Sequence, residues 1–129
     1  MKRAEREWRI SSGDLEGAAA ARRDFALYLR AKPGSDAEHY TSTLIFGELV
    51  SNAVKSARTS VSVELLDGGW AKLRVTDDGD CFDTANICPQ PLEAQSGRGL
   101  YIVNQLARRL DVTRGRQGCE VTAVLPIRS

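Results

Sequence analysis

The residues best suited to chemistry are Glu48 and Asn52, in the stretch Phe46-Gly47-Glu48-Leu49-Val50-Ser51-Asn52-Ala53-Val54-Lys55-Ser56-Ala57. On a helix, Glu48, Asn52 and Lys55 or Ser56 share one side, because positions three and four apart are stacked neighbours. Phe46, Leu49, Val50, Ala53 and Ala57 form a broad apolar stripe around the other side. A carboxylate one turn from a carboxamide, at the polar edge of such a helix, suits a hard cation and a nucleophile better than it suits packing. Glu48 could take a proton from an attacking hydroxyl. The Asn52 amide oxygen could bind Mg²⁺, which prefers oxygen ligands and keeps waters and substrate phosphates around it. The competing reading is two ordinary polar residues on a solvated face, since short spacings match by chance.

Two further groups could serve a ligand. Asp77 and Gly79 stand at a strand end, where a buried carboxylate could accept a hydrogen bond from an exocyclic amine such as adenine presents. The missing side chain at Gly79 would leave space for the ring. A plain Asp-Gly turn is the alternative. Gly97-Arg98-Gly99, leading into Leu100, opens a helix whose unpaired amides and positive dipole end suit an anion. It is not a dinucleotide-binding fingerprint, because no strand leads tightly into it and no third glycine follows. Nor is it a P-loop, since no Gly-Lys-Ser/Thr is present.

These groups need elements to position them. Glu7 to Ser11 alternates polar and apolar and reads as a short first strand. Ser12-Gly13-Asp14 supplies turn and N-cap chemistry. Leu15 to Ala31 repeats apolar residues at helical spacing, with Arg22, Arg23 and Arg30 on a basic outer face. Lys32-Pro33-Gly34 ends that helix. Ser35 or Asp36 caps the next, which carries Glu48 and Asn52 and stops near Arg58-Thr59. Thr59 to Leu66 and Trp70 to Thr76 are strands joined by the tight turn Asp67-Gly68-Gly69.

Cys81 to Ser96 keeps no period, and a loop this long in a small domain is usually functional or mobile. A helix over Leu100 to Arg109 follows. Leu110 to Thr113 and Glu120 to Leu125 close the chain as a hairpin. Strands clustered in hairpins, with helices free to lie on one face, predict an α+β two-layer sandwich with a mixed, largely antiparallel sheet.

The 129 residues fit a single domain, 1–129, with a sizeable core. Apolar residues are 42% and charged residues 27%, which is ordinary for a soluble globular protein. A net charge of +1 points to neither nucleic acid nor a membrane surface. With no bilayer-length apolar run and no secretory leader in view, the expected location is cytoplasmic. Cys81, Cys88 and Cys119 are odd in number and lack C-x-x-C spacing, so reduced thiols are expected. His39 is the one histidine, which argues against a zinc site, and it reads as a surface residue.

Helix E-x-x-x-N, strand D-x-G, loop and G-x-G-helix stand here in one order, and that order resembles the GHKL, or Bergerat-fold, ATPases. Within them the chain is most similar to the small bacterial anti-sigma-factor serine kinases. Glu48-Leu49-Val50-Ser51-Asn52-Ala53 matches the N box and Val75-Thr76-Asp77-Asp78-Gly79 the G1 box. Gly97-Arg98-Gly99-Leu100-Tyr101-Ile102-Val103 matches the G2 box, and Gly118-Cys119-Glu120-Val121 resembles the G-T-x-V of the last hairpin. The resemblance implies ATP or ADP with Mg²⁺ as cofactors. Asn52 would hold the metal across the phosphates, and Glu48 would orient or deprotonate the nucleophile. Asp77 would read adenine N6 with Gly79 beside the ring, and Lys55 would be acceptable beside phosphate. The amides of the Gly97, Arg98, Gly99 and Leu100 turn would cradle phosphates, with Cys81 to Ser96 as the nucleotide lid. The fold it implies includes an unusual crossover.

The chain departs from the pattern at three places. Cys81 replaces the second G1 glycine, Ser56 stands where a histidine often follows the N box, and Cys119 replaces the closing threonine. The implied function is an ATP-dependent serine/threonine protein kinase that phosphorylates an antagonist protein and sequesters a sigma factor, acting without nucleic acid or membrane. The resemblance allows a homodimer, since related proteins often pair. The alternatives are a non-catalytic, nucleotide-dependent partner-binding module and a detached histidine-kinase catalytic domain. Phosphoryl transfer needs mainly positioning and charge neutralisation, which this set of residues could supply.

Overall fold

The computed structural model describes residues 4–79, 98–115 and 118–128. Their order is β1 (Ala4–Ser11), α1 (Leu15–Leu29), α2 (Asp36–Ser56), β2 (Ser60–Leu66), β3 (Trp70–Asp77), α3 (Arg98–Leu106), β4 (Arg109–Gly115) and β5 (Gly118–Arg128). Both long helices begin where side chains can take their first free amides. Asp14 caps α1 by accepting from Gly17 N at 2.8 Å. Ser35 and Glu38 form a reciprocal capping box on α2, at 3.1 and 2.7 Å. Of the two candidate caps for α2, Ser35 is the one used.

The strands form one sheet in the order β1-β2-β3-β5-β4, and every described pairing is antiparallel, in keeping with the largely antiparallel sheet expected. The chain leaves β3, passes through α3 to the far edge as β4, and folds back as β5 into the gap beside β3. Pairing with neighbours sets several boundaries that periodicity placed elsewhere. β1 starts at Ala4, opposite Leu66, and β5 runs on to Arg128, opposite Trp70. The last helix stops at Leu106, because Arg108 N already donates to Val124 O at 2.8 Å and Arg109 enters the sheet.

All three helices contribute to the layer on one sheet face. Alternate residues, among them Val61, Val63, Leu65, Leu73, Val75, Val121, Ala123 and Leu125, are buried beneath it with Ile45, Phe46, Leu49, Val50, Ala53 and Val54 of α2. Trp8 packs edge-on against Phe25 and Phe46, with centroids 5.9 and 5.2 Å away, and Phe25 stacks on Phe46 at 4.5 Å. The indole N–H donates to Asp24 at 2.9 Å and Arg6 pairs with the same carboxylate at 2.8 Å. The Trp8 hydrogen bond, then that of Arg6, hold Asp24 below its ordinary value. The cluster joins β1, α1 and α2. The sheet's other face carries Arg9, Ser62, Thr76, Glu120 and Thr113 in one cross-strand row, and Glu7, Glu64, Arg74, Thr122 and Asp111 in the next. Among the described residues, no helix is long and apolar enough to cross a membrane.

Candidate functional site

The C-terminal turn of α2 is fixed from two sides. Gly13 N donates to Val54 O at 3.0 Å and Ser12 Oγ to Ala57 O at 2.6 Å, so the link after β1 takes carbonyls the helix leaves free. From the other side, the Asp78 carboxylate accepts from Arg58 N at 2.8 Å and from Thr59 N at 3.0 Å, and from the Thr59 hydroxyl. Led by the Thr59 contacts, these bonds pull the Asp78 carboxyl down to about 2. Asp78 is therefore a tie between the end of β3 and the segment joining α2 to β2. No sequence spacing announces it, because its partners lie about twenty positions away.

Asp77 behaves in the opposite way. It ends β3 on the helix side of the sheet, is 5% exposed, and accepts from Gly79 N at 2.7 Å. That amide is its one hydrogen-bond donor among the described residues. Burial pushes its carboxyl above the ordinary range, the Gly79 bond opposes the shift, and the neighbouring Asp78 charge adds to it. A buried carboxylate with acceptor capacity to spare suits an incoming N–H donor.

Glycine is required around it. A Cβ on Gly79 would lie 2.0 Å from the Ser56 carbonyl oxygen. At Gly118, with φ of +144°, a Cβ would lie 1.9 Å from the Asp77 carbonyl oxygen. The predicted Asp77-x-Gly79 pair thus seats directly on the end of α2. Gly118, visible in the sequence only as part of the last hairpin, closes against it.

Glu48 and Asn52 are half-buried on α2, one turn apart, while Lys55 and Ser56 are exposed near its end. Asn52, Ser56 and Gly79 form a continuous line, because the Ser56 hydroxyl donates to Asn52 O at 3.1 Å and Gly79 abuts Ser56 O. Glu48 lies farther back and opens into a separate groove of about 250 Å³ between α1 and α2, with Leu15, Ala18, Ala19 and Arg22 on its other wall. The stem of Arg22 lies over Gly47, where a Cβ would come within 2.9 Å of Arg22 Cδ. A cleft of about 650 Å³ reaches Asp77, Asp78, Gly118 and Cys119 and spreads onto the open sheet face, touching neither Glu48 nor Asn52. The structure thus brings Asp77, Gly79, Ser56 and Asn52 together and sets Glu48 at the far end of their line.

Of the expected phosphate cradle, Arg98, Gly99 and Leu100 form the first turn of α3. Gly97 and the Cys81 to Ser96 segment, expected as cradle and lid, lie outside the described residues. The expectation of reduced thiols is corrected at Cys119, which is 2% exposed, sits opposite Asp77 in the sheet and is disulfide-bonded. Pairing is set by contacts between distant segments, so cysteine spacing could not reveal it.

A family model described as the histidine kinase-like ATPase domain matches residues 12–125. The chain belongs to that family. This histidine kinase-like ATPase domain is similar in fold to the mycobacterial sensor histidine kinase MprB. The TM-score is 0.56 at 20% identity, covering 95% of this chain and 99% of that one. It is also similar to the histidine kinase domain from the Erythrobacter litoralis EL346 blue-light activated histidine kinase, with a TM-score of 0.51 and 22% identity. That match covers 88% of this chain and 64% of the other. A search of the curated proteins returns no match. The GHKL resemblance drawn from the ordered boxes is borne out, and with it an ATP-binding, regulatory domain of the kind tied to ATP-dependent phosphotransfer, nucleotide binding there typically involving Mg²⁺.

Proposed function

We propose that this histidine kinase-like ATPase domain is a serine/threonine protein kinase of the anti-sigma-factor type. It would phosphorylate a hydroxyl on an antagonist protein and sequester a sigma factor. The observation that carries the reading is the line along α2: Glu48, Asn52 and Ser56 at successive turns, ending against Gly79 and the under-bonded Asp77. Eight helical residues span about 12 Å, the scale of a nucleotide laid along the helix from base to terminal phosphate.

In this reading Asp77 accepts from the adenine amine and Gly79 leaves room for the ring. Asn52 holds Mg²⁺ through its amide oxygen. Among the described residues no cluster of three or more His, Cys, Asp or Glu could hold a metal, so the remaining ligands would be phosphates and waters, as Mg²⁺ prefers. Lys55 and the first-turn amides of α3 from Arg98 to Leu100, with Gly97 before them, neutralise and position the phosphates. Bound ATP supplies the transferable phosphoryl group. Glu48 orients the acceptor hydroxyl and takes its proton. Its groove, flanked by the Arg22 cation, is where that hydroxyl would enter.

Calorimetry with ATP and ADP in Mg²⁺, then transfer of labelled phosphate to the cognate antagonist, tests the reading. Glu48→Ala is expected to abolish transfer and keep nucleotide affinity. Absence of any heat with either nucleotide removes the reading altogether. Nucleotide binding without transfer favours the second reading, a nucleotide-dependent partner-binding module. That reading is supported by Cys119, which leaves no hydroxyl opposite Asp77.

A further inference from the structure

At the end of β3 remote from Asp77, Trp70 lies between two arginines. Arg108 Cζ stands 3.8 Å and Arg128 Cζ 3.9 Å from the centre of the indole. Two guanidinium groups at stacking distance from one ring occupy its opposite faces, since on the same face they would coincide. Arg108 is placed there by its own amide, which donates to Val124 O at 2.8 Å, and Arg128 by its register opposite Trp70. Both arginines are exposed, and neither has a carboxylate within ion-pair distance among the described residues.

Two other arginines of the open face are neutralised by neighbours. Arg74 is bridged to Glu64 at 2.9 Å and Arg109 to Asp111 at 2.8 Å. Beside Trp70 on that face are Lys72, Val124 and Pro126, so an apolar centre is rimmed by cations.

Stacking on an indole occupies the flat face of a guanidinium and leaves its N–H edge available for bidentate acceptors. The two arginines are therefore held in place without using their donors. We propose that the Trp70 end of the open sheet face docks an acidic segment of a partner protein, with carboxylates taken by Arg108 and Arg128 on either side of the indole. The neighbouring acids select for separated carboxylates rather than a continuous polyanion. Asp67 stands in the turn just before Trp70, and Glu64, Asp111 and Glu120 lie farther along the same face, so a long phosphate backbone crossing it would meet these acids while a short segment seated on the two arginines would not. An anionic bilayer fits poorly too, because the large exposed apolar side chains, such as Leu15, Leu27 and Tyr40, belong to the helices on the opposite side. The patch is roughly 23 Å from Asp77 along the strand, so both ends could be occupied at once.

The probe is a labelled short peptide whose glutamates are spaced by neutral residues, read by anisotropy and by the Trp70 indole N–H resonance, which Trp70→Phe assigns against that of Trp8. Saturable binding is expected, with the Trp70 signal moving and the Trp8 signal still, and with affinity falling at least tenfold in R108Q/R128Q. R108K/R128K, which keeps the charge and loses the flat stack, should also weaken binding, and ATP affinity should be unchanged in both variants. Thermal unfolding confirms that each variant folds. Three results overturn the proposal: no saturable binding of the peptide, undiminished binding in R108Q/R128Q, or equal affinity for a DNA duplex or for phosphatidylserine vesicles.

Discussion

Asp77 and Asp78 are neighbours with opposite surroundings. Asp77 points under the helices, has a single donor among the described residues and has its carboxyl raised by burial. Asp78 turns toward the link from α2 to β2, gathers donors from Arg58 and Thr59, and has its carboxyl lowered to about 2. A carboxylate that the fold satisfies is part of the fold. One that the fold buries and leaves under-bonded is destabilising by itself, and is retained where a ligand completes it. The same two residues thus separate the stability of this region from its binding chemistry, and each can be altered to test the division.

The largest effect is expected where both carboxylates lose their footing. Gly118→Ala puts a methyl group 1.9 Å from the Asp77 carbonyl oxygen and 2.7 Å from Asp78 Cα, at a positive φ. A loss of about 3 kcal/mol or more in urea unfolding is expected, together with nucleotide binding. Unchanged stability would mean that Gly118 does not press against the Asp77 carbonyl. Next comes Asp77→Asn, which keeps an acceptor for Gly79 N and removes the buried charge. Nucleotide affinity should fall roughly 10- to 100-fold, as for a lost hydrogen bond to a charged group. The melting temperature at neutral pH should rise. A variant that binds less and melts higher is the signature of a ligand-dedicated acid.

Much of this was legible beforehand. The 3.6-residue period of Phe46, Leu49, Val50 and Ala53 gave α2 and its buried side, and Glu48 and Asn52 fell on the polar edge as expected. Asp67-Gly68-Gly69 located the β2–β3 turn, and the order of the boxes led to the family. What stayed hidden depends on contacts between distant segments. Alternation with Leu73 and Val75 carries Asp77 to the helix side, but nothing in the sequence shows that Asp78 ties to Arg58 and Thr59, because only the fold brings those segments together. The disulfide at Cys119 and the seating of Arg22 over Gly47 are hidden for the same reason.

Asp78→Asn should reverse the Asp77 result: a lower melting temperature with nearly unchanged nucleotide affinity. The pH profile carries the same contrast. Asp78 has a folded-state value of about 2 against an ordinary 3.8, so its stabilisation is present above 3.8 and is lost as pH falls toward 2. Asp77 is raised above 3.8, so the folded state binds its proton more tightly and stability increases as pH falls through that raised range. Wild-type stability attributable to this pair should therefore rise slightly on mild acidification before it declines. Asp77→Asn should remove the rise and Asp78→Asn should blunt the decline, both read from denaturation midpoints across pH.

The smallest effect concerns the other clamp on the end of α2. Ser12 Oγ donates to Ala57 O, one residue before the amides that Asp78 takes at Arg58 and Thr59. Ser12→Ala should cost about 1 kcal/mol, the ordinary worth of one such bond. If the two clamps act on one rigid turn, releasing the first lets the turn shift and loosens the second. The double variant Ser12→Ala/Asp78→Asn should then be less destabilised than the sum of the singles, since groups acting on one segment do not add. Strict additivity in urea unfolding would instead make them independent attachments. The Asp77–Asp78 contrast would then belong to the strand end alone, not to the strand and helix together.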